Sequence, residues 1–131
     1  MKKDIESRLD IELLIDSFYV KVKEDKVIGH FFNEVVSLSW DVHIPIMYSF
    51  WETVLLHKAS YKGNAMAAHI ALDKKMPMKQ LHFTRWLKLW DETIKAHLEG
   101  PKATEAMQKA RSMTFLIHAK VLKSREEESA Q

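Results

Sequence analysis

Three polar side chains of this sequence fall on stripes that helical spacing turns inward, where a polar group needs a partner. Tyr19 comes four residues after Ile15 and three before Val22, so its hydroxyl sits beside a buried face. His43 has Met47, Phe50, Trp51 and Val54 beyond it on the same face, and an imidazole there can move protons near neutral pH. Trp86 is flanked by Phe83, Leu89 and Trp90, and its indole N–H can only donate. Each also has a plain structural reading: a core tyrosine satisfied by a backbone carbonyl, a hydrogen-bonded core histidine, a packing tryptophan.

His69 differs in its surroundings. It sits in Asn64-Ala65-Met66-Ala67-Ala68-His69-Ile70-Ala71-Leu72, where Ala65, Ala67 and Ala68 leave little bulk beside the imidazole and a flat object can approach it. A neutral imidazole is a standard haem ligand. The alternative is a surface histidine on a poor helix. The other histidines, His30, His57, His82, His97 and His118, form no H-x-x-x-H or H-E-x-x-H pair, which disfavours a zinc hydrolase. G-x-S-x-G, Walker-type Gly-Lys-Ser and G-x-G-x-x-G motifs are absent, removing the common nucleophile and nucleotide signatures.

Composition narrows the class further. With 131 residues, 47% apolar and 29% charged, the chain is expected to fold as one globular domain over 1–131. Twenty basic and 18 acidic side chains are interspersed to a net charge of +2, without a basic stripe for nucleic acid. No apolar run is long enough for a membrane span or a signal segment, so no membrane association and a cytoplasmic location are expected. The absence of cysteine excludes disulfides, thiolate metal sites, a Cys nucleophile and haem attached through C-x-x-C-H.

Only three Gly and three Pro occur, too few for a sheet protein's turns, so the elements that position these residues read as all-α. Ile11, Leu14, Ile15, Phe18 and Val22 mark a first amphipathic helix with Asp10 as its cap. Ser39 can cap a second, carrying Trp40, Met47, Phe50, Trp51, Val54 and Leu55, with Pro45 forcing either a start near His43 or a bent beginning. A short helix over 64–73 holds His69. A third long helix follows Pro77 with Phe83, Trp86, Leu89, Trp90 and Ile94, and Gly100-Pro101 stops it. The fourth carries Ala103, Ala106, Met107, Ala110, Met113, Ile117 and Val121. Residues 1–9 and 123–131 are expected to fray, the latter for want of a large apolar anchor.

The Phe18-Tyr19 pair, Phe32, Trp40-x-x-His43 to Phe50-Trp51, Tyr61-Lys62-Gly63 with Met66-x-x-His69, and His82-Phe83-Thr84-Arg85-Trp86-Leu87-Lys88-Leu89-Trp90 occur in that order. From about Ile11 to Leu122 the chain thereby resembles the truncated haemoglobins, and among them group III, which lacks the glycine pairs of the other groups. The resemblance implies a shortened globin fold around haem b, between the second long helix on the distal side and the short helix on the proximal side. It implies His69 as proximal iron ligand and Tyr19, His43 and Trp86 as distal groups around a diatomic ligand. Phe32 would pack on the haem face, with Tyr61 and Met66 as further haem contacts. Three inward polar groups, each costly to bury alone, would then share one polar ligand.

Reversible binding of O2, or of NO or CO, by a monomer is the function so implied. The alternative is a haem redox enzyme acting on O2, nitric oxide or peroxide, with a separate reductase as electron donor and His43 moving protons. A cofactor-free helical interaction module would leave Tyr19, His43 and Trp86 without a common purpose.

Overall fold

The computed structural model describes residues 2–31 and 40–129, with residues 40–42 described in their backbone alone. Phe32 and Ser39 therefore lie outside the described residues. Among the described residues there are five α-helices: α1 (Arg8–Glu24), α2 (Trp40–Leu56), α3 (Ala65–Lys75), α4 (Gln80–His97) and α5 (Pro101–Ser129). None of them is long and apolar enough to cross a membrane.

Apolar spacing sets the faces these helices bury. Ile11, Leu14, Ile15, Phe18 and Val22 are each fully buried, at the spacing of one helical stripe. That stripe rests on α2 and α4, while α5 rests on α3 and α4. Trp90 of α4, fully buried, meets Phe18 edge-on with ring centres 5.0 Å apart.

The start of α1 lies earlier than the sequence suggested. Ser7 precedes the first helical residue, and Asp10 acts from inside the first turn, its carboxylate accepting from the Glu6 and Ser7 amides at 2.9 and 3.1 Å. Asp10 thus satisfies amide donors that no helical carbonyl can reach. Pro45 lies inside α2 rather than ahead of it, so the helix does not begin at His43. A proline there offers no N–H to the carbonyl of Asp41.

Both ends of the chain have anchors that apolar spacing does not reveal. The Glu99 amide donates to the Lys3 carbonyl at 2.9 Å, Ile5 is buried, and the Asp4 carboxylate accepts from the Lys102 and Ala103 amides at the start of α5. Gly100 makes that cap possible. Its φ is +136°, and a Cβ on it would fall 2.5 Å from Asp4. At the other end, where fraying was expected, α5 continues to Ser129. Its anchor there is polar: Arg125 forms a fork onto Asp73 of α3, with Nε donating to Oδ2 at 2.9 Å, and also donates to the Met78 carbonyl at 2.9 Å.

Candidate functional site

A cavity of about 510 Å³ opens between α2 and α3, with α1, α4 and α5 supplying its remaining walls. On α3 the lining residues are Ala65, Ala68, His69 and Leu72, four positions of one helical face, together with Ala71 and Lys75. Asn64 starts that helix by accepting from the Ala67 amide at 3.0 Å. The three lining alanines keep this wall shallow on either side of the His69 imidazole.

The tautomer of His69 follows from its neighbour. Its Nδ1 lies 2.6 Å from the Ala65 carbonyl, which can only accept, so Nδ1 carries the proton and Nε2 keeps its lone pair. Burial holds the imidazole below the usual histidine range, and the bond to Ala65 opposes that only in part. His69 is therefore neutral at pH 7.

Across the cavity, α2 presents His43, Met47 and Phe50 at successive turns. Burial, and then the repulsion that His69 would exert were both imidazoles protonated, push the His43 imidazole below its ordinary range. Tyr19 of α1 is 6% exposed and stands edge-on to His43, with ring centres 5.6 Å apart. Burial raises its phenol well above the ordinary value, so the hydroxyl keeps its proton and can donate. Trp86 of α4 stands edge-on to Phe18 at 5.0 Å. Tyr19, His43 and Trp86, from three different helices, line the same cavity as His69.

Tyr61 also lines the cavity, edge-on to Phe50 at 5.1 Å. The connection that carries it is pinned to α2. The Thr53 hydroxyl oxygen accepts from the Ser60 and Tyr61 amides at 3.3 and 3.1 Å. The Ser60 hydroxyl donates to the buried Glu52 carboxylate at 2.7 Å, and Arg8 donates to the same oxygen at 2.9 Å. Those two partners hold Glu52 below the usual carboxylate range. Gly63 leaves room for the phenol, since a Cβ on it would fall 2.5 Å from the Tyr61 hydroxyl.

Against this geometry the comparisons are decisive. No family model matches the chain. It is 33% identical over 97 residues to the group 3 truncated hemoglobin ctb of Campylobacter jejuni, covering 72% of this chain and 74% of that one. The chain belongs to the group III truncated haemoglobins. The fold agrees: the crystal structure of a group III truncated hemoglobin from Campylobacter jejuni matches with a TM-score of 0.82 at 27% identity, over 92% of this chain and 95% of that one.

Of the residues singled out in the sequence of this truncated haemoglobin, Tyr19, His43, Tyr61, His69 and Trp86 meet at one cavity. Met66 does not. It shares its helical face with Ile70 and the buried Asp73, the face that α5 covers through Arg125, and it packs against the core instead of the cavity. Sequence reasoning missed His82 and Lys75, both of which line the cavity. His82 opens the last stretch of the resemblance but was given no role at the site, and the signal for its place was Phe83 beside it, at the start of an inward stripe. Its Nδ1 accepts from the Lys79 amide at 2.9 Å, and its ring lies 4.8 Å from Phe31 and 5.9 Å from His30. For Lys75 the signal was its spacing of three residues from Leu72 on the lining face of α3.

Proposed function

We propose that this truncated haemoglobin holds haem b in the cavity with His69 as the iron ligand, and reversibly binds O2 or a related diatomic gas, NO or CO, where Tyr19, His43 and Trp86 line the cavity. The observation that carries the reading is the neutral His69 imidazole, its Nδ1–H engaged by Ala65, in an apolar cavity that three polar side chains share.

The residues present fit the group. Among the described residues no three His, Asp or Glu side chains could hold a metal ion together, so a bare ion would find too few protein donors. A macrocycle that brings its own nitrogens needs only one imidazole. The cavity volume is in the range of cofactor sites, roughly 300–1,000 Å³, and Ala65 and Ala68 admit a flat ring. Tyr61 and Phe50 would flank its edge.

Haem b, when bound, would supply an iron that His69 could hold and that could take up a small gas. The chain's own residues do the rest. The Ala65 carbonyl orients His69 and makes it a better electron-pair donor. Tyr19 O–H and Trp86 N–H are donors for a polarised diatomic ligand, worth about 1.5–3 kcal/mol each when that ligand carries partial charge. His43, neutral at pH 7, can accept or return one proton. Phe18, Met47 and Phe50 exclude water.

That poised imidazole also favours a second reading, in which the site turns over O2, nitric oxide or peroxide with electrons from a separate reductase. Absorption spectra of ferric, ferrous and gas-exposed protein test the binding reading, and the expected result is a strong band near the blue edge that shifts with each gas. Sustained consumption of gas or peroxide only when a reductase is added selects the second reading over the first.

A further inference from the structure

Three indoles form a near-parallel stack on one wall of the cavity. Trp86 lies against Trp90 with ring centres 5.4 Å apart and planes 16° from parallel, and Trp90 lies against Trp51 at 4.5 Å and 26°. The aromatic contacts around them are of another kind. Phe18 meets Tyr19, Trp86 and Trp90 edge-on, and Phe50 meets Trp51 and Tyr61 edge-on. Edge-to-face contacts fill a core well. Parallel faces also overlap their π systems, so a positive charge left by electron loss on one ring extends to the next.

Indole and phenol are the side chains most readily oxidised by one electron in a chain without cysteine. All three tryptophans line the cavity, Trp90 is fully buried and Trp51 is nearly so. The Trp90 N–H donates to the Ala106 carbonyl at 3.1 Å. A carbonyl is too weak a base to take that proton, so an oxidised Trp90 keeps it together with the positive charge. Trp86, half-buried, forms one end of the stack.

We propose that Trp86, Trp90 and Trp51 are an electron reserve for the cavity, giving up one electron when hydrogen peroxide is reduced there with no external reductant present. The proposal rests on the haem reading above. Reduction of one hydrogen peroxide to two waters breaks the O–O bond and takes up two electrons and two protons. Of those two electrons bound haem would supply one and Trp86 the other, and both protons come from solvent. Trp90 and then Trp51 refill Trp86 by successive one-electron transfers, which carries the missing electron away from the reacting oxygens. A small one-electron reductant such as ascorbate restores the stack.

The test uses the full chain reconstituted with haem, its absorption spectrum taken first. Hydrogen peroxide is added without reductant, one portion is freeze-quenched for high-field electron paramagnetic resonance, and another is digested for peptide mass spectrometry. A tryptophan-type radical and oxygenated Trp86 and Trp51 are expected. Trp90→Phe keeps a ring but removes the middle indole, and oxygenation of Trp51 should then be lost while that of Trp86 persists. Trp51→Phe should confine oxygenation to Trp86 and Trp90, and it serves even where Trp90→Phe does not fold. A purely tyrosyl radical, or Trp51 oxygenated as strongly in Trp90→Phe as in the parent, overturns the proposal and leaves the haem reading standing. A chain that shows no haem spectrum overturns both.

Discussion

At the scale of single residues, burial and hydrogen bonding fix protonation states. Tyr19 is held protonated by burial, His69 neutral by burial and by the Ala65 carbonyl, and His43 neutral by burial and by His69. Together with the Trp86 N–H, two donors and two neutral imidazoles thus share a cavity. Tyr19→Phe and Trp86→Phe should each change the rate of gas release, by roughly tenfold for each 1.4 kcal/mol of hydrogen bonding removed. Stopped-flow traces on reconstituted protein measure it, and release should quicken in at least one variant; traces that overlay the parent in both would reduce these residues to packing. His43→Leu should keep haem and fold while altering gas kinetics and autoxidation, and loss of haem from it would contradict a distal place for His43. These residues were legible in the sequence because each is a polar group at an inward helical position. Met66, expected as a haem contact because it flanks the approach to His69, is not among the cavity-lining residues, and its sequence position alone does not show which flank of a short helix it takes.

At the scale of elements, α3 is the weak piece. Eleven residues make a marginal helix by themselves. Its two ends are fixed by Asn64 and by Asp73, which accepts from the Met78 amide at 2.8 Å and from Arg125. Burial alone would raise the Asp73 carboxyl, but Arg125, the Met78 amide and the nearby His118 outweigh it and hold the group below its ordinary 3.8. The folded state therefore binds this proton less readily than the unfolded one. The clamp's contribution is complete above about pH 4 and is lost as pH falls through and below that value. Arg125→Ala should cost about 2 kcal/mol, discounted for the partial exposure of the guanidinium. Near-neutral thermal melts should show a drop of about 4 °C per kcal/mol, and the gap between parent and variant should close as the pH is lowered below 4. A gap that widens in acid would contradict the clamp. Asn64→Ala should cost about 1 kcal/mol and loosen hydrogen-exchange protection at the start of α3. The sequence showed α3 through its flanking breaks, Gly63-Asn64 and Met76-Pro77. It did not show the anchors of the termini, because Asp4, Asp73 and Arg125 reach partners 98, 52 and 47 positions away along the chain and helical periodicity is blind to charged long-range pairs.

At the scale of the whole molecule, the five helices act as walls for a cavity whose lining comes from every one of them. Filling it should stabilise the fold, since a ligand that binds only the native state adds RT ln(1 + [L]/Kd), about 4 kcal/mol at a thousandfold excess over Kd. The haem-free chain is accordingly expected to melt lower and to lose part of its helix, which circular dichroism with and without added haem will show. The α-helical class was legible from the scarcity of Gly and Pro and from periodic apolar stripes. The cavity was not, because an interior space is a property of packing rather than of any one segment. The most direct test is the absorption spectrum of His69→Ala after purification and haem titration. The account predicts weak or lost haem binding with a lowered melting temperature, and recovery of the haem band when free imidazole is added to enter the vacated space. Full-strength, parent-like haem spectra in His69→Ala without added imidazole would contradict it and point to another ligand, with His43 the first to replace.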